Sequence, residues 1–377
     1  MKAVGIIAEY NPFHEGHAYQ IREAKKLTGA DYAVVIMNGD FVQRGEPAAF
    51  DKYTRTKQAL EGGADLVFEL PVRFGISSAG DFALGGVMAL DSLKVSHLCF
   101  GSECGELEPL TNIATTLLHE PENFKTVLDT ALRQGLSYPA AQARALLSIF
   151  DDNTYTEIIS QPNNILGIEY CLAIEKIGSS MIPVTLRREG QGYHDATARE
   201  NMYPSATSLR RKMVATKTPH LVLDDFSAAL GYALLSSDDL AKYKDISSDL
   251  GDRIQGLLPN YRTASEFICD CQTRAFTDGR IRRGLLQCLL NITDTTAEIP
   301  YLRLLGMKKE AGSLLSDSRT SSVSILSRLA VDGKELSDRA QALLSQDIFA
   351  SDLYRQTWCR KYQCELPNEY QRSVIVM

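Results

Sequence analysis

MKAVGIIAEYNPFHEGH, residues 1–17, begins as an apolar run and ends in two histidines that bracket a glutamate and a glycine. Segment 2–8 has the length and composition of a buried strand, and Glu9, Asn11 and Pro12 close it as a turn. From about 16 to 28 the apolar spacing becomes helical, so strand, turn and helix follow one another as in an open α/β sheet. A helix that starts there aims free backbone N–H groups and the positive end of its dipole at the mouth of the sheet, where a triphosphate can bind. Gly16 lets backbone or nucleotide approach closely, and His14 and His17 can donate hydrogen bonds to charge developing on an α-phosphate. Two plainer readings exist. One histidine caps the helix while the other lies on the surface, or both belong to a zinc site; the second lacks a carboxylate or cysteine at helical ligand spacing. The position directly after a first strand, behind an Asn-Pro pair, favours catalysis.

Outward from this segment, apolar runs at 31–37, 65–70 and 95–100 read as strands, and amphipathic stretches at about 52–62 and 79–92 as helices. In the first of these helices Lys52, Arg55 and Lys57 fall on a polar side against Ala59 and Leu60. Parallel strands need helical crossovers, so the expected fold is α/β, a Rossmann-like, right-handed, doubly wound parallel sheet. Residues 106–160 are helical in pattern, without a clear strand, and are punctuated by Pro109, Pro121, Gly135 and Pro139, which marks a helical insertion. The α/β pattern then resumes: PNNILGIEYCLAIEKIG as a loop entering a helix, MIPVTLRRE as a strand, and 205–216 as a short helix. From about 220 onward the spacing is helical throughout, with turn signals near Gly251, Pro259, Gly279, Pro300 and Gly333. At 377 residues the chain exceeds a comfortable single core. The expected division is 1–218 as a nucleotide-binding catalytic domain carrying the insertion at about 106–160, and 219–377 as a C-terminal α-helical domain. Neither internal repeats nor low-complexity segments are present.

Composition is that of a soluble protein, 44% hydrophobic and 23% charged, with no run long and apolar enough to span a bilayer. The N-terminus is too short in its apolar core for a signal peptide, and the eight cysteines lack zinc-site pairing, so reduced thiols and a cytoplasmic location are expected. A net charge of −7 argues against nonspecific coating of nucleic acid, yet leaves room for a local basic face. Arg187–Arg188, Arg210–Arg211–Lys212, Arg280–Arg282–Arg283 and Lys308–Lys309 are its candidate pieces, or simply solvated charges.

Other residues with chemical potential sit at strand ends. NGDFVQRGEPA follows the second strand, placing Asp40, Gln43, Arg44 and Glu46 at the carboxyl edge where open α/β folds bind ligands. Arg44 can face a carboxylate or phosphate, or form an ion pair with Glu46 or Asp40. Gly101 ends the fourth strand, as a turn or as a surface against which adenine or ribose can lie. Asn163 and Asn164 enter a helix after a proline, and one of them is expected to cap it. Arg187 and Arg188 point to opposite sides by alternation, and Ser205 reads as a helix cap or a phosphate contact. His194 with Asp195 is either a structural imidazole or a general base, and His97, His119 and His220 have no supporting context.

The segment around His14 and His17 resembles the HxGH signature of the nucleotidyltransferase superfamily, with Ala8-Glu9-Tyr10-Asn11-Pro12 in place of the usual Gly-x-Phe-Asp-Pro lead-in. That departure, with IIAEYNPFHEGH, VIMNGDFVQRGEPA, DLVFELP, FGSE, QPNNILGIEY and SATSLR in order over residues 1 to about 215, resembles the tRNA(Met) cytidine acetate ligases. The resemblance implies a nucleotidyltransferase-type sheet. It implies an enzyme that activates acetate with ATP as acetyl-adenylate and then acetylates the wobble cytidine of elongator tRNA(Met), giving N4-acetylcytidine. His14 and His17 are then catalytic. ATP binding is implied for Ile7, Ala8, Glu9, Tyr10, Asn11, Pro12, Phe13, His14, Glu15, Gly16, His17, Ala18, Tyr19 and Gln20, and for Gly101, Asn163, Arg188, Ser205 and Thr207. Asp40, Gln43 and Arg44 are substrate-pocket candidates, and Mg²⁺ is expected with ATP although no dedicated ligand set is visible. The basic cluster Arg274, Arg280, Arg282 and Arg283 is the expected tRNA contact, with binding that weakens in salt. The competing expectations are a transferase moving AMP or CMP onto a small phosphorylated acceptor, and a nucleotide-sensing or RNA-binding module without chemistry. Retention of both histidines weighs against the module.

Overall fold

Ala3–Ala8 (β1) is buried along nearly its whole length because it lies inside a sheet covered on both faces. It pairs in parallel with Tyr32–Asn38 (β2) in the register Ala3 to Tyr32 through Ala8 to Met37, and on its other side with His97–Ser102. The computed structural model describes residues 2–150, 153–188, 206–293, 296–318 and 323–377. The remaining strands are Phe41–Val42 (β3), Glu46–Pro47 (β4), Leu66–Leu70 (β5), His97–Ser102 (β6), Ile182–Arg187 (β7), Tyr301–Met307 (β8), Ser324–Leu326 (β9) and Ile375–Val376 (β10). β3 and β4 form a small antiparallel hairpin; the main sheet has the order β10-β8-β5-β2-β1-β6-β7, with β9 also on β8. The order reverses between β1 and β6, which makes the crevice beyond their carboxyl ends the binding position of such a sheet.

The helices of the first half are Glu15–Thr28 (α1), Lys52–Glu61 (α2), Val72–Gly75 (α3), Ala79–Ser92 (α4), Leu107–His119 (α5), Glu122–Arg133 (α6), Tyr138–Leu147 (α7), Asn153–Ser160 (α8) and Pro162–Ile177 (α9). They are followed by Ala206–Ala215 (α10), Ser227–Leu235 (α11), Ser248–Leu257 (α12), Ala264–Cys271 (α13), Asp278–Leu289 (α14), Gly312–Ser318 (α15), Leu329–Asp332 (α16) and Asp338–Tyr362 (α17). α4, α5 and α9, with the inserted helices, cover one face of the sheet, and α1 and α2 cover the other. α4 approaches β1 closely because Gly86 has no side chain: a Cβ there would lie 2.5 Å from Ile7 Cδ1. A separate apolar cluster joins α11 to α14 with α17 and takes in Phe41 from β3, so the C-terminal helices support the hairpin beside the crevice. Among the described residues no helix is long and apolar enough to cross a membrane.

The doubly wound sheet and the helical character of 106–160 match the sequence reading. Three expectations require correction. The region from 220 onward is not helical throughout, since β8 pairs antiparallel with β5 and β9 and β10 join its outer side. Tyr301–Met307 is buried on both faces, and a doubly buried strand of that length cannot be told from a helix by periodicity. Gly251 and Gly279 lie inside α12 and α14 rather than in turns. Lys52 and Arg55 are not on a polar face: both are fully buried, and only Lys57 of the three is exposed.

Candidate functional site

The loop between β1 and α1 is held from below by Arg55, whose guanidinium donates to the carbonyls of Glu9 (2.7 Å), Asn38 (3.0 Å), Phe50 (2.9 Å) and Gly39. One buried cation therefore ties together the loops that leave β1 and β2 and the approach to α2, and each carbonyl it serves would otherwise be a buried acceptor in need of a partner. Asn11 accepts from the Ala49 N–H at 2.7 Å through its side chain and from Arg210 at 2.7 Å through its carbonyl, and the Asn11–Pro12 bond is cis. Tyr10, at φ 49°, packs its ring edge-on to Phe13 and against His17.

His14 is the N-cap of α1, with Nδ1 accepting from the Gly16 N–H at 3.1 Å, while His17 Nδ1 accepts from the His14 N–H at 3.3 Å. The two imidazoles stack with centroids 3.7 Å apart. Because both Nδ1 atoms face backbone donors, the proton of each neutral ring sits on Nε2, leaving two parallel N–H donors for an anionic ligand. Burial pushes the His14 pKa down to about 4, and Arg188 adds to the shift. Burial, then His14 and Arg188, holds His17 well below the ordinary histidine value. The folded state therefore binds fewer protons than the unfolded chain between about pH 4 and 6.5, and this contribution to stability is lost as pH falls through that window. In an NMR titration His14 is expected to show no protonation step above about pH 5; a step near the ordinary value of about 6.5 would contradict the neutral pair.

Arg188, whose charge acts on both histidines, also borders Gly101 in β6, where a Cβ would stand 3.1 Å from Arg188 Cγ. Arg188, just past β7, donates to Asn163 Oδ1 at 3.3 Å. Neither Asn163 nor Asn164 caps α9. The Glu103 carboxylate does, accepting from the Asn163 N–H (3.3 Å) and side chain (2.5 Å) and from the Asn164 N–H (2.8 Å), a favourable place for a negative charge. Asn164 in return accepts from the N–H groups of Glu103 and Cys104. The structure thus brings Gly101, Asn163 and Arg188 together with His14 and His17 at the switch point. Ile7 and Ala8 end β1, and Ala18, Tyr19 and Gln20 continue α1. Thr207 lies in the first turn of α10 and accepts from Arg210 at 3.4 Å. Ser205, His194 and Asp195 lie outside the described residues.

The three substrate-pocket candidates separate. Asp40 is buried, accepting from the Lys52 N–H at 2.8 Å beside the Lys52 ammonium, and burial raises its pKa to about 6 against that attraction. It belongs to a structural charge network. Gln43 donates its N–H to Glu9 Oε1 at 2.9 Å and its amide to the Ser77 carbonyl, and Arg44 is exposed at the hairpin tip. Burial raises the pKa of Glu9, opposed by nearby Arg44 and Arg210. Of the expected RNA contacts, Arg274 is exposed, but Arg280 donates to the Asp245 carbonyl. Arg282 pairs with Asp278 and Glu46, and Arg283 with Asp245. Arg282 also packs on Gly45, where φ +78° demands glycine and a Cβ would lie 2.4 Å from Arg282 Cβ. Arg55 and Glu103 escaped the sequence reading. No group of three metal-ligating side chains exists among the described residues.

Fold and site together define a nucleotidyl transferase, and the family model described as HIGH Nucleotidyl Transferase matches residues 1–368. A tRNA(Met) cytidine acetate ligase of Acetivibrio thermocellus is 34% identical over 416 residues, covering 100% of both chains. One from Caldanaerobacter subterraneus subsp. tengcongensis is 36% identical over 94% of this chain and 95% of its own. Crystal structures of Thermotoga maritima TmcAL, bound with alpha-thio ATP and apo, superpose with TM-scores of 0.88 and 0.89 at 25% and 26% identity, over 100% of each chain. The chain belongs to the HIGH nucleotidyl transferase family and, within it, to the tRNA(Met) cytidine acetate ligases.

Proposed function

We propose that this chain activates acetate with ATP and transfers the acetyl group to the wobble cytidine of elongator tRNA(Met). An acetate oxygen attacks the α-phosphorus and pyrophosphate leaves, giving acetyl-adenylate. The exocyclic amine of cytidine then attacks the acetyl carbon, the C–N bond forms, AMP departs and the amine loses a proton, leaving N4-acetylcytidine. The observation that carries this reading is the locked pair of neutral imidazoles at a helix start, with both Nε2–H groups available for charge that grows on the α-phosphate. Relatives named for this activity and a structural neighbour bound with alpha-thio ATP support it.

In this reading Ile7 to Gln20, Gly101, Asn163, Arg188 and Thr207 hold ATP, with Ser205 at the phosphate-binding helix start, and Arg44 meets the acetate carboxylate from the hairpin. Mg²⁺, with no acidic cage among the described residues, would come held by phosphate oxygens. Residues 1–218 carry the catalytic residues and the insertion, while 219–377 completes the sheet with β8, β9 and β10 and contributes to RNA binding; the cytoplasm is the working compartment. The test is mass spectrometry of elongator tRNA(Met) incubated with protein, ATP and isotopically labelled acetate. A labelled acetylcytidine at the wobble position is expected. Unlabelled tRNA with pyrophosphate release that does not depend on acetate would replace this reading with transfer to a small phosphorylated acceptor.

A further inference from the structure

α10 carries basic side chains outside the residues assigned to ATP. Arg210 is engaged with the Asn11 carbonyl and Thr207. Arg211, Lys212 and Lys217 are exposed, and among the described residues none of their side chains has a hydrogen bond or ion pair. No acidic residue occurs from Ala206 to His220, in a chain of net charge −7. Segment 206–220 therefore brings no negative side chain of its own, whereas Arg280, Arg282 and Arg283 spend their donors on Asp245, Asp278 and Glu46.

Beside the same helix lies an open hollow of about 220 Å³, lined by Pro12, Phe13, Phe50, Leu209 and Met213 together with Lys212, Thr216 and Thr218. It begins at the residue next to His14. Pro12, Phe13, Phe50, Leu209 and Met213 offer apolar and aromatic surface to the flat face of a ring, Lys212, Thr216 and Thr218 add polar groups beside it, and the volume is larger than acetate requires. An unstacked base bordered by backbone phosphates has this combination of a flat apolar face and flanking negative charge.

We infer that this cavity and the outer face of α10 receive the acceptor nucleotide of the RNA: the base unstacked into the apolar pocket, its neighbouring phosphates on Arg211, Lys212 and Lys217. The inference rests on the acetyl-transfer reading and names where the acceptor sits. A base held there lies beside the loop that ends in His14, so the amine and the adenylate meet across one loop.

Two variants test it, both at residues outside those assigned to ATP. Thr216→Trp, at an exposed position on the cavity rim, fills the pocket; Arg211→Glu with Lys212→Glu reverses the charge. The readouts are affinity for elongator tRNA(Met) across a salt series, acetyl transfer, and acetate-dependent exchange of pyrophosphate into ATP. Thr216→Trp is expected to lower transfer at least about tenfold with exchange unchanged. The charge-reversed variant is expected to lose at least about tenfold in tRNA affinity and to flatten the log–log salt slope by about two. Transfer by Thr216→Trp at the parental rate, or unchanged RNA affinity on charge reversal, overturns the inference. A raised KM for ATP in Thr216→Trp would give the cavity to the nucleotide instead. The affinity arm needs no turnover, so absence of acetate-dependent exchange in the parent counts against acetate activation alone.

Discussion

Replacing His14 by asparagine is expected to lower acetate-dependent exchange of pyrophosphate into ATP by about 10²–10³-fold while leaving stability within about 1 kcal/mol of the parent. His14 has two separable tasks. Its Nδ1 caps α1 through the Gly16 N–H, and its Nε2–H is the donor proposed for the α-phosphate. Asparagine is among the best N-caps and can accept the same bond, but its side chain stops short of the Nε2 position, so only the second task is lost. His14→Ala loses both and is expected to fall by about 1 kcal/mol more in a denaturant titration. Exchange within about threefold of the parent in His14→Asn would remove this imidazole from the chemistry, whatever its place in the stack with His17. A stable and inactive His14→Asn separates a catalytic histidine from a capping one, which the alanine variant alone cannot do.

The opening strand, turn and helix were legible because every local signal in residues 2–28 agrees with the global arrangement: apolar run, Asn-Pro punctuation, glycine between the histidines, helical spacing. What escaped the sequence reading depends on pairings between distant parts of the chain. Lys52 and Arg55 have the spacing of a solvated helix face, yet their partners include Glu69 at a separation of 17 residues and Ser351 at 299. One signal was present: Glu69 stands inside the apolar run DLVFELP, and a carboxylate in a doubly buried strand requires a buried cation. The converse holds at Arg280 to Arg283, basic in one dimension but engaged in three: Arg280 with the Asp245 carbonyl, Arg283 with the Asp245 carboxylate, and Arg282 with Glu46 and adjacent Asp278. Glu103 could not be recognised as the cap of α9 because capping is normally read from residues adjacent to the helix, and Glu103 is about 60 residues away.

The charge network under the site carries the largest expected effect on stability. The Lys52 ammonium lies 2.7 and 2.9 Å from the two oxygens of Glu69, 3.0 Å from Glu369 and 2.7 Å from Ser351 Oγ, with no solvent exposure. Arg303 from β8 adds bonds to Glu69 (3.2 Å), Tyr53 (2.6 Å) and Glu369, so β5, α2, β8 and the segment before β10 meet at one cluster. Burial alone would pull the Lys52 pKa down, but Glu369, Glu69 and Asp40 hold it up. Burial alone would push Glu369 up, but Lys52 and Arg303 hold it at about 2. Lys52→Met fills similar space and leaves Glu69 and Glu369 with Arg303 as their remaining close cation, so a loss of about 3–5 kcal/mol is expected in urea unfolding at neutral pH. A loss under about 1 kcal/mol would mean that water or Arg303 already screens the site. The pH dependence is an independent check. A carboxylate depressed from 4.5 to about 2 stabilises the fold fully above its unfolded pKa and loses that contribution as pH falls toward 2. In Lys52→Met the Glu369 pKa rises, so the part of the acid-induced loss due to Glu369 becomes smaller and ends at a higher pH than in the parent. Because the Lys52 ammonium lies 4.0 Å from Asp40 and Arg55 follows one turn later on the same helix, the variant is also expected to loosen the anchoring of the Glu9 carbonyl and raise the KM for ATP. The cluster thereby links the C-terminal strands to the loop that carries the histidines.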